Sequence, residues 1–220
     1  MDKNKLRLFV IGLTILLVSS GIVAFLILAK EKPSSFPVRV ACVGDSLTQS
    51  TEYPYDLWML LGTANYTVEN FGAGSTTVSV NTETPYINTS AFQNALKFQP
   101  NIVIIMLGTN DAQPNLEANN VTFVDDYAKL ISSFQELASK PKIWVVLPPP
   151  IFSNQSGKLD PEYFKSTIIT DIGKAANETN MPIINVHSAL AGYPNYFPDG
   201  EHPNNAGAEI IATEIYKTII

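Results

Sequence analysis

Residues 38–48 read VRVACVGDSLT, and this stretch decides how the 220-residue chain is understood. Its first six residues are apolar except for Arg39, the pattern of a buried strand. The run then breaks into Gly44-Asp45-Ser46-Leu47-Thr48, residues suited to a turn. A serine therefore stands at the C-terminal end of a strand, the edge where open α/β sheets bind ligands. Alone, Gly-Asp-Ser is an ordinary polar turn. Read with the motifs downstream, Ser46 becomes a candidate nucleophile.

Upstream, residues 8–29 carry no charge. As a helix they would extend about 33 Å, enough to cross a bilayer. Lys3, Lys5 and Arg7 precede them, and Lys30, Glu31 and Lys32 follow. The reading is an N-terminal transmembrane anchor within residues 1–32 and a domain over 33–220 held outside the cytoplasm by the basic N-terminal flank. A cleaved signal peptide followed by secretion is the competing reading. Ser19, Ser20, Gly21 and Ala24 offer small residues for cleavage, but the apolar run continues through 25–28.

From Pro33 onward there are 9 Lys+Arg against 18 Asp+Glu, a net charge near −9. Nucleic acid and anionic lipid both require a basic face, so neither is an expected partner of the domain. Cys42 is the sole cysteine, which precludes an internal disulfide, and its place in the strand predicts a buried thiol. Two histidines and one cysteine are too few for a typical zinc site, so no metal and no cofactor is expected. Five Asn-x-Ser/Thr sequons, at Asn65, Asn88, Asn120, Asn154 and Asn177, are compatible with export.

Downstream, strands and helices alternate. Strands are expected at 66–71, 102–107, 143–147 and 182–186. Helices are expected at 55–61, with Trp58, Leu60 and Leu61 buried, at 91–98 and at about 123–139. Two more are marked by Phe164, Ile168, Ile172 and Ala176, and by Ala208, Ile211, Ala212, Ile215 and Ile219. Residues 78–87 and 112–120 show no periodicity and read as loops. This alternation predicts right-handed βαβ units and a parallel sheet covered on both faces.

A serine hydroxyl needs a base to react at neutral pH. His202 lies in Asp199-Gly200-Glu201-His202-Pro203-Asn204, just before the last helix, with Asp199 one turn upstream. That carboxylate can fix the imidazole tautomer and stabilise its charged form. His187 also follows a strand but has no acid beside it, which favours a structural role. Oxyanion donors are available as the N–H of Ser46, the N–H of Gly74 and the side chain of Asn110, the latter two also at strand ends.

These residues carry a resemblance to the SGNH, or GDSL, family of serine hydrolases. The family's blocks match, in order, Gly44-Asp45-Ser46-Leu47, Gly74 in Asn70-Phe71-Gly72-Ala73-Gly74, Gly108-Thr109-Asn110-Asp111, and Asp199 to His202. The resemblance implies a three-layer α/β/α sandwich with a five-stranded parallel sheet, the flavodoxin-like SGNH hydrolase fold, and ester hydrolysis without metal. It also implies Ser46, Asp199 and His202 as catalytic residues, with Ser46, Gly74 and Asn110 as the oxyanion hole. The Gly-x-Ser-x-Gly elbow of α/β-hydrolases fails here because Thr48 replaces the second glycine.

Residues 139–152 and Phe197-Pro198-Asp199-Gly200 resemble the branch of carbohydrate O-acetylesterases and lysophospholipase-like esterases. The expected substrate is a small-molecule or glycan acyl ester, with acetyl as the expected acyl group. The rival readings are a lipid esterase, an acyltransferase with the same triad, and a non-catalytic, membrane-tethered glycan-binding module.

Overall fold

The strand β1 (Val38–Gly44) is buried from Val40 to its end, as its apolar run requires. The other strands are β2 (Tyr66–Gly72), β3 (Ile102–Met106), β4 (Lys142–Leu147) and β5 (Ile183–Asn185). All pair in parallel, in the order β2-β1-β3-β4-β5. The computed structural model describes residues 37–153 and 158–220. The expected anchor at 8–29 and the sequon at Asn154 lie outside them. Among the described residues no helix is long and apolar enough to cross a membrane.

Alternation along the strands divides the core. Val40, Cys42, Ile104, Met106, Val146 and Ile184 face one side. Ala41, Val43, Val103, Ile105 and Val145 face the other. Each fully buried aliphatic side chain contributes about 1.5–3 kcal/mol. After β1 come α1 (Ser46–Gln49) and α2 (Tyr53–Leu61); then α3 (Ser90–Phe98), α4 (Phe123–Gln135), α5 (Ile169–Glu178), α6 (Val186–Leu190) and α7 (Asn205–Ile219). Leu57 of α2 and Ile211 and Ile215 of α7 cover the first face. Phe92 of α3, Tyr127, Leu130 and Phe134 of α4, and Ile172 of α5 cover the second. This is the three-layer α/β/α arrangement expected, and Cys42 is a buried free thiol.

Strand order reverses between β1 and β3, because β2 lies on one side of β1 and β3 on the other. At such a reversal the connections leaving the two strands diverge, and open α/β sheets bind ligands there. Gly44 is in register with both Gly72 and Met106, so three strands end level around it. Ser46, Gly74 and Asn110 all follow those ends within a few residues.

Some elements depart from the periodicity. Pro54 occupies the first turn of α2, which starts at Tyr53 rather than at 55. The buried stripe is then Tyr53, Leu57 and Leu61, and Leu60 turns outward with 42% exposure. Trp58 is half-buried and donates its Nε1–H to the Tyr66 carbonyl at 2.7 Å. The helix α4 stops at Gln135, ahead of the expected 139. The helix α7 begins at Asn205, where the Asn204 side chain accepts from Gly207 N–H. Residues 114–122, read as loop for most of their length, form a 3-10 helix, Pro114–Thr122. Asn120 within it is buried, with its side chain bonded to Ser79 and to the Asp111 carbonyl, so this sequon offers no free amide to a glycan.

Candidate active site

The turn after β1 is built by close backbone approach. A Cβ on Gly44 would collide with Thr48 Oγ1 and the Met106 carbonyl, so no other residue fits. Asp45 caps α1, its Oδ1 accepting the Leu47 N–H at 2.9 Å. Ser46 is the first residue of that helix and is partly exposed. Its own N–H therefore has no intrahelical acceptor. Asn70, on β2, donates to the Thr48 carbonyl at 2.7 Å and accepts from Gly72 N–H at 2.9 Å. A side chain on Gly72 would strike the backbone of Gln49. The serine turn is thus pinned to β1 by its own chain and to β2 by these contacts.

From the other end of the chain, a loop brings His202 to the serine. His202 Nε2 lies 2.9 Å from Ser46 Oγ, across 156 residues of sequence. His202 Nδ1 lies 2.8 Å from Asp199 Oδ2. With the proton on Nδ1 donated to Asp199, Nε2 is the atom free to accept from the hydroxyl. Asp199 Oδ1 also accepts the N–H groups of Glu201, at 2.9 Å, and His202, at 2.6 Å. Partial burial pulls the Asp199 pKa upward, but these N–H donors and the imidazole outweigh it and hold the carboxyl below its usual range. Gly200 shapes the loop with φ +83°, and its carbonyl accepts the Phe152 N–H at 2.7 Å. Glu201 places Oε1 3.8 Å from His202 Nε2. Burial raises its pKa, with the Asp199 charge adding to the rise.

His187 stands elsewhere. Its Nδ1 lies 3.1 Å from the Pro148 carbonyl and its ring packs against Phe164, centroids 5.9 Å apart. Burial lowers its pKa. The structural role expected for it agrees with these contacts.

Gly74 borders the serine, since a Cβ added to it would lie 3.8 Å from Ser46 Cβ. Its N–H is engaged, donating to Gln49 Oε1 at 2.9 Å. Asn110 sits in a 3-10 turn, Thr109–Ala112, that follows Gly108 at φ +120°. The buried Asn110 Nδ2 donates one hydrogen to the Thr76 carbonyl at 3.0 Å. Next to it Asp111 is fully buried. Its Oδ2 accepts Val78 N–H and its Oδ1 accepts Ser79 N–H, both at 2.9 Å. Desolvation lifts its pKa to about 6 despite those bonds. Asp111 straps the segment after Gly74 to the end of β3.

The expected nucleophile, base and orienting acid are therefore brought into one hydrogen-bonded chain, with Gly74 beside the serine. Gln49, Asp111, Glu201 and Asn70 carry structural or electrostatic weight here that the sequence reading did not assign. Asp111 had a signal, an acid directly after Asn110 in a tight turn. Gln49 had none, because its partner lies 25 residues away. Among the described residues no cluster of three or more His, Cys, Asp or Glu side chains is disposed to hold a metal ion.

Comparison with known proteins adds context to this geometry. A family model, the GDSL-like lipase/acylhydrolase family, matches residues 42–210. An acetylxylan esterase of Xylanibacter ruminicola is 30% identical over 213 residues, covering 85% of this chain and 44% of the relative. The chain thus spans less than half the length of that relative. The crystal structure of an acetyl xylan esterase, AlAXEase, superposes with a TM-score of 0.68 at 19% identity, covering 83% of this chain and all of the other. Est24, a carbohydrate acetylesterase from Sinorhizobium meliloti, superposes with a TM-score of 0.64 at 20% identity, covering 83% and 98% of the two chains. At these identities the structural likenesses concern the fold.

Proposed function

This chain belongs to the GDSL-like lipase/acylhydrolase family, and from that premise we propose that it is a serine esterase removing short acyl groups, acetyl above all, from carbohydrate. One observation carries the reading: Ser46 Oγ, His202 and Asp199 stand in a continuous relay with links of 2.9 and 2.8 Å. A binding module has no need of such a chain. Acetyl as the acyl group, and a glycan as its carrier, are supported by what the similar proteins are described as acting on.

In this mechanism His202 Nε2 takes the Ser46 proton as Oγ attacks the ester carbonyl. The carbonyl π pair moves onto oxygen, and the oxyanion is held by Ser46 N–H, Gly74 N–H and the second Asn110 Nδ2–H. Asp199 stays ionised and stabilises the imidazolium. Collapse breaks the bond to the alcohol, which leaves with the proton from His202, while the acyl group stays bonded to Ser46 Oγ. Water, deprotonated by His202, attacks that acyl group, and release of the carboxylic acid restores the serine. The apolar run at 8–29 supports a further reading, in which the domain is tethered to a membrane and faces away from the cytoplasm.

Labelling by a fluorophosphonate tests the reading. Modification of the wild type, lost in Ser46→Ala, is the expected result. A folded wild type that takes no label would overturn it. Esters from acetyl to octanoyl, assayed beside acetylated xylo-oligosaccharides, test the substrate class. Preference for long acyl chains would favour a lipid ester instead.

A further inference from the structure

The N–H of Gly74 is not waiting for a ligand. It donates to Gln49 Oε1 at 2.9 Å. A neutral carbonyl oxygen in this position has the chemistry of the ester carbonyl that the proposed reaction would bring there. From these contacts we infer that Gln49 is a specificity- and access-determining residue, an internal acceptor that fills one oxyanion-donor position of the free protein and is displaced by substrate.

The surroundings fit that role. Gln49 ends α1, three residues after Ser46, so its side chain starts on the helical turn that carries the serine. A Cβ added to Gly74 would lie 2.7 Å from Gln49 Oε1 and 3.8 Å from Ser46 Cβ, so both atoms flank the same small space. The Gln49 backbone cannot yield. Its N–H bonds the Asp45 carbonyl at 2.9 Å, Gly72 presses against it, and Asn70 ties down the preceding carbonyl. The residue itself is exposed, so rotation of the side chain alone releases the donor. One N–H cannot serve two acceptors at full strength in one direction, so substrate and Gln49 compete. A glutamine amide is a modest competitor, being uncharged and reachable by water. A carboxylate in its place would hold the N–H more firmly and repel the oxyanion.

The inference rests on the esterase reading for its kinetic consequences, and two variants separate the two. Gln49→Ala removes the competitor. It is expected to raise the rate constant for fluorophosphonate labelling of Ser46, and kcat/KM for p-nitrophenyl acetate, by about three- to tenfold. Gln49→Glu is expected to lower both by at least as much above pH 6. A purely structural role would make both variants slower, so a slower or unchanged Gln49→Ala with an unaltered melting curve overturns the inference. The Gly74 amide resonance gives a readout independent of catalysis, and it must move in Gln49→Ala. If it moves while the wild type takes no label, the internal acceptor stands and the esterase reading fails. If it does not move, the inference fails whatever the kinetics.

Discussion

Asp111 and Asp199 are two carboxylates doing similar bonding in unlike surroundings. Each accepts two backbone N–H groups. Asp111 is sealed from water and its pKa rises to about 6. Asp199, with 54% of its side chain exposed, is held below the usual carboxylate range. Hydrogen bonds lower a carboxyl pKa in both cases; burial decides the outcome. The buried acid fixes a loop, and its charge is a cost tolerated for that purpose. The exposed acid keeps its charge, the property that the proposed mechanism needs beside an imidazole that becomes cationic in it.

The most severe way to test the contrast is Asp199→Asn, which keeps the shape and removes the charge. By the precedent of serine triads, kcat for p-nitrophenyl acetate should fall by ~10⁴ while the melting temperature stays within a few degrees. A loss of stability without a loss of rate would reverse the roles assigned to the two acids.

Asp111→Ala attacks the other side. It leaves the buried Val78 and Ser79 N–H groups without acceptors, at about 1–3 kcal/mol each, offset in part by removal of a buried charge. The melting temperature should drop by about 5–10 °C in a domain of this size. An unchanged melt would mean that the strap contributes nothing.

The mildest test is pH. Asp111 and Asp45 both have raised pKa values, Asp45 to about 7 through burial, partly countered by its bond from Leu47 N–H. The folded state therefore binds more protons than the unfolded chain between the ordinary carboxylate range and about pH 7. Stability from these groups is complete below that range and is lost as pH rises through 6 and 7. Asp199 acts oppositely, contributing above the ordinary range and losing its contribution as pH falls. The melting temperature should decline by a few degrees from pH 5 to pH 8. Asp45→Asn should melt above the wild type at pH 8 and converge with it near pH 4. A wild-type melt flat across this window would remove the distinction between buried and exposed acids.

Much of this was legible in the residues. The strands β1 and β3 are sealed on both faces, so they announce themselves as unbroken apolar runs. Asp199 and His202 are three residues apart, so one turn suffices to join them. Ser46 stood out through its place at a strand end, and the family resemblance joined it to His202. What escaped was polar and long-range. Nothing in the spacing of Asp111 and Ser79, or of Gln49 and Gly74, marks them as partners, because a hydrogen bond between distant loops leaves no periodic trace. Leu60 escaped for a different reason. The stripe of α2 that faces the core runs through Tyr53, Leu57 and Leu61 at helical spacing, which leaves Leu60 outside it, and a helix expected only from 55 hid the Tyr53 end of that stripe.

A 2.9 Å contact joins the serine after the first strand to a histidine 156 positions later. During synthesis, then, the hydroxyl leaves the ribosome 156 residues ahead of the imidazole that faces it. A nascent chain that stops short of residue 202 carries the serine motif without that imidazole, so the relay forms only once these two distant segments have met.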